Sequence, residues 1–420
     1  MLKKNLNYIL AIFVLYFIFC NSYNSKLLYL RDFGQEYYPV GLLIRSNQSR
    51  LIYPSIHSHN SNESQLNEYV HNLYKELPAS WYLQFFYLPI NGLFFIPFSL
   101  FDLKIAFLFW TIFQLLILFF CLYLIQIPQT NFKIYYVDSI SKLLFFLPVL
   151  HELYIGQASL LFGILPVLIG YYYWLRNSNI KAGLAWSLAI LKPQFIFIPF
   201  FIMINYIFNL KSSRIGWKIF LGFSLGLGLI IVLNFLLFGQ ALLEQWFHSI
   251  TLSPATDYNY GYHKFYPLFV SLPSSGYFIF KHIKHFLIWQ NLFSIVVLLI
   301  NLFLSIQFLS KYDFSDFKTK MYLFTIANLA INIIIPHIMY YDLILYGLNF
   351  IIFGYFFQIN NSKDNQKLYN LLKLGFVSIN LYGVLYIINQ HLGQPIFLML
   401  FLIVIYILFL KIVYSYESGR

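Results

Sequence analysis

The sequence predicts an all-α, polytopic membrane protein, and three observations carry that expectation. Hydrophobic residues make up 60% of the 420-residue chain and charged residues only 10%, against roughly 25% charged in soluble domains. Apolar runs near the about 20 residues that a spanning helix needs fill most of the chain beyond residue 81. The basic residues, 27 Lys plus Arg against 15 Asp plus Glu, fall in short clusters between those runs, the pattern of topogenic signals rather than of a nucleic-acid surface. One membrane domain over 1–420, with one sizeable polar loop, is the expected organisation.

Residues 1–22, MLKKNLNYILAIFVLYFIFCNS, join a basic start to an apolar core with no small-x-small cleavage site, so they read as a retained signal anchor with Lys3 and Lys4 inside. Residues 23–80 are the first external loop, rich in Ser, Asn, His and Glu around HSHNSNESQLNEYVHNLYKELP. The remaining transmembrane helices are expected within 81–412, on apolar runs at 85–101, 104–126, 143–155, 158–175, 182–191, 194–209, 219–238, 286–310, 319–335, 341–358, 367–389 and 395–412. With the anchor, these predict roughly 11 to 13 crossings. Cys20 and Cys121 both lie in apolar segments and build no disulfide framework.

Arg176 to Lys181, Lys211 to Lys218, Lys311 to Lys320 and Lys363 to Lys367 carry the positive-inside signal, which places all four on the cytoplasmic side. The segments LKPQ (191–194), IIPHIMYYD (334–342) and 239–285 then fall on the outer side with the first loop. The apolar stretches flanking KPQ hold only about 10 and 16 residues, too short for two upright spans at about 1.5 Å per residue. Lys192 is therefore expected in a dip within the outer half of the membrane. Taking 85–101 and 104–126 as crossings puts 127–142 outside, yet the later clusters need HELYIGQ (151–157) outside too. The run 143–155 is accordingly read as a half-helix that does not cross.

Ionisable residues at membrane depth are costly and mark function by default. Four groups qualify on the outer side: Asp32 with Glu36, the HELYIGQ segment, Lys192 with Gln194, and His337 with Asp342. Brought to one cavity, carboxylates, a lysine and a histidine hold an anionic headgroup and move a proton beside it, which is what group transfer from a lipid phosphate requires. Each also has a plainer reading. Asp32 is a favoured N-cap for a helix starting near Phe33, and Glu36 is a loop carboxylate, solvated or paired with a lysine. Lys192, before Pro193, snorkels to the interface, although lysines are scarce on that side. His337 follows Pro336 at a helix break, where it satisfies freed carbonyls, and His151 and Glu152 are interfacial. The chain has no phosphate-binding glycine loop, no G-x-S-x-G elbow and no Cys/His cluster with zinc spacing. His282 and His285, with Lys281 and Lys284, read as a basic helix face.

Five stretches, in order over most of the chain, resemble glycosyltransferase family 87, the polytopic prenol-phosphate-dependent mannosyltransferases of the GT-C superfamily. DFGQEYYPVGLLIRSNQSRLIYP is similar to the family's Asp, Tyr, small-residue helix and later Tyr. YLPINGLFFIPFSLFDLKIAFLFW follows its Tyr-x-Pro, Pro, Ala and Trp pattern, with Tyr-Leu-Pro in place of the more usual Tyr-Pro-Pro. LPVLHELYIGQASLLFGILPVLIG carries its Gly-Gln, AGLAWSLAILKPQFIFIPF its Ala-Gly and Lys-Pro, and IIPHIMYYDLILYG closes the series.

The resemblance implies a GT-C-like transmembrane helix bundle with a partly helical first external loop. It further implies an inverting hexosyltransferase at the outer face of the cytoplasmic membrane. The donor would be a sugar, mannose by the resemblance, on a polyprenyl phosphate; the acceptor a lipid, glycan or protein. Asp32 is then the general base, and Lys192, His337, Gln157, Tyr38, Glu36 and Asp342 bind substrate, with no cofactor and no metal. Two other readings stand beside it. A transporter or flippase of a lipid-linked sugar predicts internal repeats, and none is convincing between the halves. A polysaccharide polymerase or ligase with a diphosphate-linked donor predicts an arginine-rich outer loop, whereas the outer loops here hold few arginines.

Overall fold

The computed structural model describes residues 8–9, 12–16, 28, 31–55, 65–75, 85–125, 136–209, 212–256, 286–309, 314, 316–335, 338–359, 362–388 and 395–418. They are 88% helical, with no strand among them. Of the anchor only 8–9 and 12–16 are described, as helix; the remainder of that reading, together with His282, His285 and His337, lies outside the described residues.

A π-helical turn, Phe33–Tyr37, runs directly into α1, Tyr38–Arg45. Pro39 stands in its first turn, at the change from π to α geometry. α2, Gln65–Leu73, buries Leu66 and Val70 in the same aromatic core as Phe33, Tyr37, Phe95, Phe107 and Trp110. The first loop is thus partly helical, as expected.

The run 85–101 is not a crossing. It folds as two short 3-10 turns, Pro89–Phe95 and Phe98–Leu100. At about 2.0 Å rise per residue each of them covers less than half of a bilayer core about 30 Å thick. Pro89, Asn91, Gly92 and Pro97 explain the break: the prolines remove backbone donors, and Asn91 donates instead to the Leu191 carbonyl at 2.7 Å.

α3, Leu103–Leu124, begins at Asp102, whose carboxylate accepts from the Lys104 and Ile105 backbone N–H groups at 3.0 and 3.2 Å. Phe107, Trp110, Gln114, Leu118 and Cys121 line its buried face at helical spacing, while Phe109, Phe113, Leu116 and Phe120 point outward. That outward apolar face is what a lipid-embedded helix presents.

α4, Tyr136–Leu144, breaks at Phe145–Phe146 before α5, Leu147–Ile155. Gly156 ends α5 at φ +71, a conformation that favours glycine, and a Cβ there would lie 2.6 Å from Phe33 Cβ. A second π turn, Leu160–Ile164, leads into α6, Leu165–Leu175, and the two halves meet at 115°. α7, Asn179–Ser187, tightens to a 3-10 turn at Leu188–Leu191; Lys192 is non-helical (φ −134, ψ 89), and Pro193–Ile196 opens α8, Phe197–Phe208. α9, Ser213–Thr256, is kinked at Gly239 (φ +77, ψ 170) and packs its Ile219 backbone against Gly183 of α7, where any side chain would strike the Ile219 carbonyl.

α10, Phe286–Leu309, and α11, Phe317–Ile334, follow. Lys320 on α11 donates to the Trp174 carbonyl at 2.9 Å and to Asn177 at 2.6 Å, satisfying the end of α6. A 3-10 turn at Tyr340–Leu343 precedes α12, Ile344–Ile359, and then come α13, Lys363–Ile388, and α14, Pro395–Ser418.

Among the described residues five helices are long and apolar enough to cross a membrane, or six with the bent pair counted as one span. The expected 11 to 13 crossings refer to the whole chain; among the described residues, apolar runs such as 179–191 and 193–208 form pieces shorter than a span, separated at Lys192. Removing 85–101 from the crossings also dissolves the parity conflict. The described residues 136–142 then share a side with 176–181 when the bent pair Leu147–Ile155 and Leu160–Leu175 dips into the membrane and returns, so the nine-residue α5 still does not cross by itself. Impermeant maleimide on intact cells, in a background without Cys20 and Cys121, should label Gln48→Cys and spare both Lys142→Cys and Lys181→Cys. Labelling of Lys142→Cys would restore the crossing at 85–101.

Candidate active site

Helix breaks bring together the segments that carry polar residues. The π turn after Asp32, the α5–α6 bend, the Lys192 kink and the turn at Tyr340–Leu343 converge on the side-chain amide of Gln157, which is buried. Its Nε2 donates to Asp32 Oδ2 at 2.8 Å and to the Tyr341 hydroxyl at 3.0 Å, using both hydrogens. Its Oε1 accepts from the Tyr37 hydroxyl, from the Ala158 backbone N–H at 2.9 Å and from Lys192 Nζ at 3.4 Å. With donors on one side and a carboxylate on the other, the amide has one workable orientation.

Lys192 is wholly buried. It pairs with Asp342 Oδ1 at 3.3 Å, donates to Ser159 Oγ and lies over the Tyr341 ring at 4.9 Å. Ser159 in turn donates to Asp342 Oδ1 at 2.9 Å. Asp342 Oδ2 accepts from the Met339 backbone N–H at 3.0 Å and from Gln194 at 3.4 Å. Snorkelling to an interface does not describe this lysine, since a snorkelling head ends in water.

Asp32 is half-buried and sits in helical backbone (φ −53, ψ −39) without any side-chain capping bond. The capping reading therefore fails, and its carboxylate is given to Gln157 instead. Glu36, one turn on and also half-buried, faces the same charges. Burial pushes Asp32 up to about 6, against the hydrogen bond from Gln157 and the charge of Lys192, which both pull it down. Glu36 is pushed well above the usual carboxylate range by burial first and by neighbouring Asp32 next.

Of the residues singled out from sequence, Asp32, Glu36, Gln157, Lys192, Gln194 and Asp342 meet here. Tyr38 does not join them: its hydroxyl donates to the Phe101 carbonyl at 2.8 Å. Tyr37, at the end of the π turn, takes that place, its hydroxyl donating to Gln157 Oε1. Ser159, Tyr87 and Tyr341 were not legible as site residues, since Ser and Tyr abound in this chain. Glu152, read as interfacial, is fully buried, with Oε1 accepting from the Leu160 backbone N–H at 3.0 Å. Arg31 points elsewhere, its guanidinium 4.1 Å from the Tyr154 ring centroid and 5.2 Å from that of Phe107, and so clamps the start of the π turn onto α3 and α5.

The arrangement pairs a half-buried carboxylate, Asp32, with a sealed cation, Lys192, through one amide. A proton acceptor and a positive field on opposite sides of a small polar space suit transfer of a group away from an anionic leaving group. Among the described residues no three His, Cys, Asp or Glu are grouped to hold a metal ion.

No curated protein and no solved structure matches the chain. A family profile, that of glycosyltransferase family 87, matches residues 85–321, more than half of it. The match contains Gln157, Ser159 and Lys192, while Asp32 and Asp342 lie outside it and reach the same site through the fold. The chain belongs to glycosyltransferase family 87, and it is a membrane glycosyltransferase.

Proposed function

We propose that the protein moves a hexose, mannose by family resemblance, from a polyprenyl phosphate to a lipid, glycan or protein acceptor at the outer face of the cytoplasmic membrane. The supporting observation is the Asp32–Gln157–Lys192 connection, at 2.8 and 3.4 Å on either side of the amide. Asp32 takes the acceptor hydroxyl proton as that oxygen attacks the anomeric carbon. The bond from that carbon to the phosphate oxygen breaks, its electron pair leaves with the polyprenyl phosphate, and the sugar inverts. Gln157 orients the base. Lys192 supplies positive potential for the charge that grows on the departing phosphate, and Asp342 and Ser159 fix its position. The half-buried acids, Asp32 and Glu36, form the acceptor side, and Lys192 the phosphate side.

Asp32→Asn should cost about 10²–10⁴-fold in turnover, the usual worth of a general base, with thermal stability little changed. Wild-type turnover of a polyprenyl-phosphate sugar by that variant would remove Asp32 from the chemistry. The same role fixes the acid limb of the pH profile. A base held up at about 6 is ionised above that value and protonated below it, so kcat/KM should fall as pH drops through about 6. A limb near 4, where an ordinary aspartate titrates, would contradict the buried environment.

Lys192→Met keeps the stem and removes the charge. A hydrogen bond to a charged group is worth about 1.5–3 kcal/mol, so donor affinity should fall roughly 10- to 150-fold. The same change leaves Asp342 buried without its cation, which destabilises by about 3–5 kcal/mol; Lys192→Met with Asp342→Asn removes that complication. Full donor affinity in the double variant would make Lys192 a structural partner of Asp342 alone.

A further inference from the structure

The mechanism above makes no use of Glu152. It is fully buried, one oxygen takes the Leu160 N–H at 3.0 Å, and the other, Oε2, has no hydrogen-bond partner. Around it stand Lys192, Asp342 and Ser159; its neighbour His151 on α5 lies 6.1 and 5.7 Å from the Tyr340 and Tyr341 rings, Tyr340 lies 5.6 Å from Tyr382 on α13, and α4, which packs on α5, carries Lys142. Among the described residues Lys192 is the cation that pairs with a carboxylate of this site, and Asp342 holds it at 3.3 Å.

Ser159 has one proton, and that proton goes to Asp342. An ionised Glu152 would therefore be a second negative charge on one lysine, with an oxygen that nothing satisfies, a costly state for a sealed group. As the neutral acid, Glu152 leaves Lys192 and Asp342 balanced and offers an O–H toward Ser159, whose oxygen can still accept.

We propose that Glu152 is held as a neutral acid and acts as a positioning residue that keeps the Lys192–Asp342–Ser159 cluster uncharged overall, so that the donor's phosphate is not repelled from it. This rests on the reading of the donor as a polyprenyl phosphate. Ionising Glu152 adds buried negative charge beside the phosphate subsite and weakens binding. The loss appears as pH rises.

The test is binding of farnesyl methyl phosphate, a diester like the donor that carries one charge over the whole range, to the full-length protein in detergent from pH 5 to 9.5. Glu152→Gln, a neutral isostere, should bind as wild type at low pH. Above a break it should bind more tightly than wild type, by a ratio growing about tenfold per pH unit, as loss of one proton requires. Taking the ratio cancels the titration of Asp32 and Glu36, which both proteins share. A ratio of one throughout is what a merely structural glutamate gives, and it overturns the proposal. So does weaker binding by the Gln variant at low pH, which would mean that the charged form is needed. Should the Gln variant not fold, Glu152→Asp is expected to keep the alkaline fall with lower affinity, and pH-independent binding there overturns the proposal equally. Wild-type protein that binds no prenyl phosphate at any pH overturns the donor reading, and this inference with it.

Discussion

The Lys192–Asp342 pair is the constraint on which the rest of the site depends. Both side chains are sealed from solvent, and removing two charges from water costs several kcal/mol per ion unless geometry and further hydrogen bonds repay it. Here they do, through Ser159, Gln157, Gln194 and the Met339 N–H. Every one of those partners comes from a point where a helix is interrupted. A broken helix at membrane depth frees backbone donors and acceptors that lipid cannot satisfy. The site's own side chains satisfy them: Asp342 takes Met339 N–H, Glu152 takes Leu160 N–H and Gln157 takes Ala158 N–H. The chemistry and the breaks therefore stabilise each other, and neither set of residues can be replaced by apolar ones without stranding the other.

Asp32 reaches this centre from a separate core. Phe33 stacks on Trp110 at 5.8 Å and Tyr37 on Phe95 at 4.7 Å. The Trp110 indole N–H donates to the Gly156 carbonyl at 2.9 Å, one residue from Gln157. Aromatic packing thus sets the distance between the turn that carries Asp32 and the bend that carries Gln157. Offset and edge-on ring pairs of this kind are worth about 0.5–1.5 kcal/mol each beyond area burial. The aspartate is held by a rigid wall, although it sits in a loop.

Most of the polar constellation was legible because membrane-level charge is expensive and stands out against an apolar background: Asp32, Lys192 and Asp342 are conspicuous in a chain with so few charges. The places where sequence reasoning failed share one physical cause. Hydropathy weighs composition, and the run 85–101 is apolar enough to pass as a span, yet Pro89, Asn91, Gly92 and Pro97 decide its backbone hydrogen bonding and forbid a long helix. Tyr38 was named through the resemblance, and nothing in two adjacent tyrosines tells which one the local backbone turns toward the site; Tyr37 donates to Gln157 and Tyr38 to the Phe101 carbonyl. Glu152 was set aside as interfacial because nothing in HELYIGQ announces that the following chain turns by 115° and buries it. Ser159 gave no signal, since a serine becomes a site residue only by what the fold sets beside it.

The exposure of the site residues has a direction. Asp32 and Glu36 are half-buried, Gln157 and Asp342 nearly sealed, and Lys192, Ser159 and Glu152 wholly so. The cation's field is least screened at the sealed end, where low polarity and absence of water leave it strongest. On the proposed mechanism that gradient separates the two halves of the reaction: the acceptor's proton would leave at the carboxylate end, where water can later remove it, and the negative charge would develop where water is excluded, which would also deny water the attack on the sugar that turns transfer into hydrolysis.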